Sequence, residues 1–199
     1  KRYFAKDKQG PFSLLPQLKL TGQKTKPQKM VYCPLEGQQT AQTSTQYPLA
    51  IMIENHPDSR PQTGLSNASL IYEAVTEGGI TRFMAVYSCR GAAKVGPVRS
   101  ARTFYLDWAG EYTALYSHVG GNLDALNQIQ KDAGILDLDQ FRYGAQAYWR
   151  EPTAGKATEH TMYTSTDKLW QIAQNNKWNL ATNFTTLLFK NEAPSEQRP

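Results

Sequence analysis

ASLIYEAVTEGGITRFMAVYS, residues 68–88, holds two strand-length apolar runs, Ala68 to Thr76 and Ile80 to Ser88, parted by the pair Gly78-Gly79. β-Branched and aromatic side chains dominate both runs. The glycines supply the backbone freedom of a tight reversal, so the segment reads as a β-hairpin. A third run of strand length, Pro48 to Glu54 (PLAIMIE), lies upstream. Between it and the hairpin, His56 to Gly64 (HPDSRPQTG) is a polar loop broken by prolines and a glycine.

Downstream, helical spacing alternates with short apolar runs. Lys94 to Arg102 (KVGPVRSAR) leads into Thr103 to Tyr112, where Tyr105, Trp108 and Tyr112 share one helical face with Phe104 beside them. Ser100 reads as the N-cap of this helix. Ala114 to Val119 returns as a strand that ends at Gly120-Gly121. Asn122 caps a second helix carrying Leu123, Leu126 and Ile129, which Gly134 stops. Leu136 to Glu159 reads as an irregular, polar stretch outside the core. Thr166 opens a third helix with Leu169, Trp170, Ile172 and Ala173 facing inward, and Asn183 to Lys190 reads as a last strand. Intermixed strands and helices predict an α/β or α+β fold, a mixed central sheet with helices packed on it.

One domain, 47–190, is expected after a linker of residues 1–46. Residues 191–199 have linker composition and point towards a further C-terminal domain. Within 1–46 the apolar island Phe12 to Leu20 is interrupted by Pro16. The net charge of +5 belongs to the tail: residues 1–30 carry eight Lys/Arg and one Asp, whereas the rest is slightly acidic. A nucleic-acid-binding domain carries its positive charge on the fold, so no nucleic-acid partner is expected. A basic tail suits either an anionic surface such as a membrane or a solvated spacer. No apolar run approaches transmembrane length, and any export signal or anchor is expected upstream of Lys1.

Cys33 and Cys89 lie in no CxxC pair; they are either a disulfide or two buried thiols. The histidines His56, His118 and His160 each follow or end a predicted strand, but none has HExxH or HxH spacing, and neither a metal nor a cofactor is expected. No serine lies in GxSxG.

VGPVRSAR, residues 95–102, is the segment richest in chemistry. A helix N-terminus favours anions, so arginine is usually disfavoured there; Arg99 and Arg102 flanking one suggest either an anion site or pairing with acids such as Glu73 or Glu77. Glu77 and Arg82 flank the hairpin turn and could pair across it, or Arg82 could join Arg99 and Arg102 in one basic pocket. His118, Gly120, Gly121 and Asn122 form a strand-to-helix turn whose glycines permit close approach of a ligand, or merely a tight turn. Trp149, Arg150 and Tyr163 offer a stacking wall for a sugar or ring.

Read together, IMIENHPDSRPQTGLSNASLIYEAVTEGGITRFMAVY, KVGPVRSARTFYLDWAGEY, YSHVGGN and ATEHTMYTSTDKLW resemble the YerB-like family of bacterial lipoproteins, which carry a domain of unknown function, DUF3048. The resemblance spans residues 31–190. It implies export, a lipid anchor on an upstream cysteine, and a second C-terminal domain. Relatives with a CPL opening, as at Cys33-Pro34-Leu35, tend to have a cysteine after the third strand, so it also implies the Cys33–Cys89 disulfide. No enzyme activity is established for the family, and no catalytic residue carries over. Its characteristic segments map onto Glu54-Asn55-His56, Arg60, Glu77 to Arg82, Gly96 to Arg102, His118 to Asn122 and His160 to Tyr163. The expected function is a non-catalytic, extracytoplasmic envelope domain binding an anionic ligand at Arg82, Arg99, Ser100 and Arg102. The ligand would be a wall polymer, a phosphate-bearing lipid or an acidic partner. The alternatives are an enzyme acting on phosphate-linked envelope substrates and a domain that only positions a C-terminal partner.

Overall fold

The computed structural model describes residues 31–37, 39–40, 47–112, 114–178, 180, 187–189 and 196. Strand β3 (Leu49–Glu54) is central in a five-stranded sheet, with β4 (Leu70–Val75), β5 (Thr81–Tyr87), β6 (Leu115–His118) and β7 (Leu136–Asp139), in the order β4-β5-β3-β6-β7. β5 runs antiparallel between β3 and β4; β6 and β7 run parallel to β3. Two ribbons lie outside it: β1 (Val31–Tyr32) with β2 (Gln39–Thr40), and β8 (Tyr148–Arg150) with β9 (Met162–Thr164). The helices are α1 (Thr103–Gly110), α2 (Leu123–Lys131), α3 (Gln140–Tyr143) and α4 (Thr166–Asn175).

Every residue of β3 is buried because both faces of the sheet are covered, which is why PLAIMIE is continuously apolar rather than alternating. Ala50 and Met52 point, with Met84, Val86 and Tyr116, towards α1 and α2. Leu49, Ile51 and Ile53 point, with Tyr87, Leu115 and Leu138, towards the β8–β9 ribbon and α4, where Leu169, Trp170, Ile172 and Ala173 face inward as their spacing predicts. The Trp170 indole N–H donates to the Tyr47 carbonyl at 2.9 Å and anchors α4 to the start of β3.

Several expectations are corrected. The stretch Leu136 to Glu159 is not outside the core: it supplies edge strand β7 and buries Leu138, Tyr143, Ala147 and Tyr148. Its elements are only three or four residues long, too short to show a period. The Tyr148 hydroxyl reaches the Leu138 carbonyl and lies 2.8 Å from Ser117 Oγ, which pins β7 and β8 together. Residues N-terminal of Tyr47 also join the fold. Cys33 and Leu35 are buried, and a Cys33–Cys89 disulfide ties them to the end of β5. On α2 the buried residues are Ala125 and Ile129, and Leu123 is exposed. Residues 12–20 lie outside the described residues, as does most of 183–190; Leu187 to Phe189 carry no regular structure. Among the described residues no helix is long and apolar enough to cross a membrane.

Candidate functional site

The parallel strands β3, β6 and β7 deliver their carboxyl ends to one edge of the sheet, where open α/β sheets place ligands. Glu54 ends β3, His118 ends β6 and Asp139 ends β7. β3 and β6 pair only as far as Ile51 and Ser117. Beyond that point the strip Val95 to Ala101 enters between them. The Arg99 N–H donates to the Met52 carbonyl at 2.9 Å, and the Val119 N–H donates to the Arg99 carbonyl at 3.0 Å. Ala101 continues the strip against Gly120 and Gly121. Its other end pairs with β9 through Val95 and Thr164, so the strip stitches the ribbon to the sheet. Ser100 is therefore extended backbone and not a helix cap: α1 starts at Thr103, with Arg102 in the cap position and no side-chain cap. Ser100 instead accepts, through its carbonyl, a 2.8 Å hydrogen bond from Arg82.

The strip carries Arg99 and Arg102 to the edge where Arg82, on β5, faces Glu54 across the ladder. Each guanidinium meets carboxylate. Glu77 accepts a forked pair from Arg102 at 2.5 and 2.7 Å and lies 3.9 Å from Arg82. Arg99 lies 3.2 Å from Glu54 and 3.4 Å from Glu159. Its buried Nε–H nevertheless has no aligned hydrogen-bond acceptor. Of the two acids weighed as arginine partners, Glu77 serves, whereas Glu73 bonds Asn55 and Thr81. Burial, and then the nearby Arg102, draw the Arg82 guanidinium down to about 10; the hydrogen bonds from Arg102 hold the Glu77 carboxyl at about 2.

Next to the arginines, Glu54 Oε2 accepts from His160 Nδ1 at 2.8 Å, and His56 stacks on His160 with centroids 5.1 Å apart. Asn55 is locked by its neighbours: Arg60 and Gln62 donate to its oxygen, and its amide donates to Glu73 and Thr81. Arg60 thus braces the loop after β3.

His118 does not join the other two histidines. It is fully buried, with Nδ1 2.7 Å from the Gly120 carbonyl and Nε2 2.9 Å from Asp137. Because a carbonyl only accepts, Nδ1 carries a proton. Asp139 accepts from the N–H groups of Gly120 and Phe141, and Asn122 caps α2 through Ala125 N–H. The His118 to Asn122 turn is thus held from within. Tyr163 is no open stacking wall: it is buried, and the Lys94 ammonium sits 4.2 Å from its ring centroid. Asp137 and Asp139 were missed in sequence; their one signal is alternation in LDLD.

The model of the family described as "Protein of unknown function (DUF3048) N-terminal domain" matches residues 35–179. Over 163 residues the chain is 32% identical to the Bacillus subtilis (strain 168) protein named "Putative lipoprotein YerB", covering 81% of this chain and 48% of that protein. The crystal structure of the YerB protein from Bacillus subtilis matches with a TM-score of 0.73 and 31% identity, over 80% of this chain and 55% of that one. The chain therefore spans about half the length of the relative it matches. It belongs to the DUF3048 family.

Proposed function

We propose that this DUF3048 domain is a non-catalytic binding module of the cell envelope, which grips an anionic component at Arg99 and Arg102 with Arg82 behind them. The observation that carries the reading is the state of Arg99: a buried N–H without an aligned acceptor, in a guanidinium whose second acid is a surface residue. Two of the three acids at the cluster, Glu77 and Glu159, have side chains 64% and 56% exposed, so a phosphate or carboxylate of a ligand can take their place without unpacking the core. Forked guanidiniums suit such groups. The apolar side chains Phe141 and Leu123 stand exposed where β6 gives way to α2, beside Gly120, and offer ring-stacking surface next to the charge. A wall polymer with charged and sugar groups fits both features.

The lipoprotein relative supports a lipid-anchored, extracytoplasmic position for this chain. The disulfide supports it independently, since such bridges persist in oxidising compartments. The partner is then a component of the envelope, and nucleic acid has no place in the reading.

Thermal unfolding in the presence of phosphate, pyrophosphate, acidic polysaccharide and wall fragments tests this, with Arg99→Ala/Arg102→Ala alongside. A ligand at a hundred times its dissociation constant adds about 2.7 kcal/mol, a rise of several degrees. The reading requires that rise in the parent chain and its loss in a double variant that keeps its far-UV spectrum. No rise with any anion would leave the arginines a purely structural role.

A further inference from the structure

We infer that His56, Asp58 and His160 form a binding site for a divalent transition cation of zinc type. The site requires neither Arg82 nor Arg102, and it shares Glu54 and Glu159 with the anion reading, on which it does not depend. Each of the three residues can place one donor atom within 4.8 Å of the other two.

The preparation of His160 is the first argument. Its Nδ1 donates to the buried Glu54 carboxylate at 2.8 Å, which fixes the ring and leaves Nε2 as the lone-pair nitrogen. Metal-ligating histidines are held this way, with the distal nitrogen tied to a carboxylate and the near one bare. The Glu159 carboxylate lies 3.8 Å from that Nε2, within reach as a further oxygen donor.

His56 is prepared differently. Its Nδ1 accepts the Asp58 backbone N–H at 3.1 Å, so that nitrogen carries no proton, and a cation there would take the place of that N–H; Asp58 Oδ2 stands 3.7 Å away from it. The two imidazoles lie almost parallel, 14° apart. Ligands of a tetrahedral ion with bonds of about 2.0–2.1 Å are roughly 3.3 Å apart, so the widest separation in the set must contract by up to about 1.5 Å. The parts that must move are able to: Asp58 sits on the short 3-10 turn Pro57–Ser59 with its side chain 70% exposed, and His56, the N-cap of that turn, is partly exposed. His160, the member fixed in the core, need not shift.

Two imidazole nitrogens and one carboxylate oxygen select zinc-like ions over magnesium and calcium, which prefer all-oxygen sets. The local charge agrees. Glu54, Asp58 and Glu159 lie beside the histidines, and the Arg99 guanidinium is itself paired with two of those acids. Three protein ligands leave a fourth position for water or for an oxygen of a bound molecule.

The test is a zinc titration of the untagged chain against a chromogenic chelator, with His56→Ala, Asp58→Asn, Glu54→Gln and Arg102→Ala beside it. The parent chain is expected to take one zinc per chain. His56→Ala should weaken binding by about tenfold or more, and Glu54→Gln, acting through His160, by about 10–100-fold. Arg102→Ala should bind zinc as the parent does, even if it loses the anion response. His56 and Asp58 lie outside the core, so their variants remain folded, which far-UV dichroism verifies. No uptake by the parent chain at about 100 µM zinc, or equal affinity in folded His56→Ala and Asp58→Asn, overturns the assignment.

Discussion

The carboxylate of Glu54 stands between Arg99 and His160, with Oε1 3.2 Å from the Arg99 Nε and Oε2 2.8 Å from the His160 Nδ1. One buried group therefore joins the strip that enters the sheet to the turn that precedes β9. Glu54→Ala strands two polar partners at once and is expected to cost about 3 kcal/mol in urea unfolding. Arg99→Ala leaves Glu54 its bond to His160 and should cost less. Equal losses would mean that Glu54 does not act as a bridge.

The disulfide closes a long loop, since its cysteines are 56 residues apart in sequence. Loop entropy alone gives a stabilisation of about 4 kcal/mol, and replacing both cysteines by serine is expected to remove roughly 3 kcal/mol of it. Thermal unfolding of the double variant measures this. A midpoint unchanged within a degree would show that β1, β2 and Leu35 hold the start of the chain without the bridge.

Gly96 has a φ of +147°, and a Cβ added there would lie 2.8 Å from the Met162 carbonyl oxygen and 2.9 Å from the Tyr163 ring. Gly96→Ala should therefore cost at least about 2 kcal/mol, because the φ is strained for alanine and two of the close atoms, the Met162 oxygen and the Val98 nitrogen, are backbone. Gly110 is the control. It ends α1, with nothing within 4 Å of the added atom, and Gly110→Ala should be neutral or stabilising by a few tenths of a kcal/mol.

Glu77 contributes a pH dependence of known sign. Its carboxyl is lowered from 4.5 to about 2 by the hydrogen bonds from Arg102. A lowered carboxyl stabilises the fold fully above the unfolded value and loses that contribution as pH falls from 4.5 towards 2. The side chain is largely exposed, so the contribution is at most about 1 kcal/mol. Urea unfolding at pH 6, 4 and 3 should show the gap between the parent chain and Glu77→Gln closing as the medium acidifies. A gap independent of pH would show that the carboxylate charge adds nothing.

The three-stranded antiparallel part of the sheet was legible because PLAIMIE and the two arms of the hairpin each announce a strand by an apolar run, and Gly78-Gly79 announces the reversal. Helix α4 was legible because Leu169, Trp170, Ile172 and Ala173 recur on one face. β7 and β8 were not, since three or four residues contain no full period, and only tertiary pairing with β6 and β9 fixes them. The placement of Ser100 failed for a related reason. A serine shortly before a helical run is normally a cap, but here the backbone of residues 98–101 is claimed by the ends of β3 and β6, which delays the helix to Thr103. The residue types of the site were readable, but the partners were not. Glu54 and His160 are 106 positions apart, and no local pattern relates them.

The strip between β3 and β6 has an evolutionary consequence. Its place is fixed by main-chain bonds at Arg99 and Ala101, which any residue except proline could make. The side chains at 99, 100 and 102 can therefore change without moving the rail, at the cost of the Arg99–Glu54 and Arg102–Glu77 pairs. A lineage could change the charge and shape of this edge while every strand stays in register.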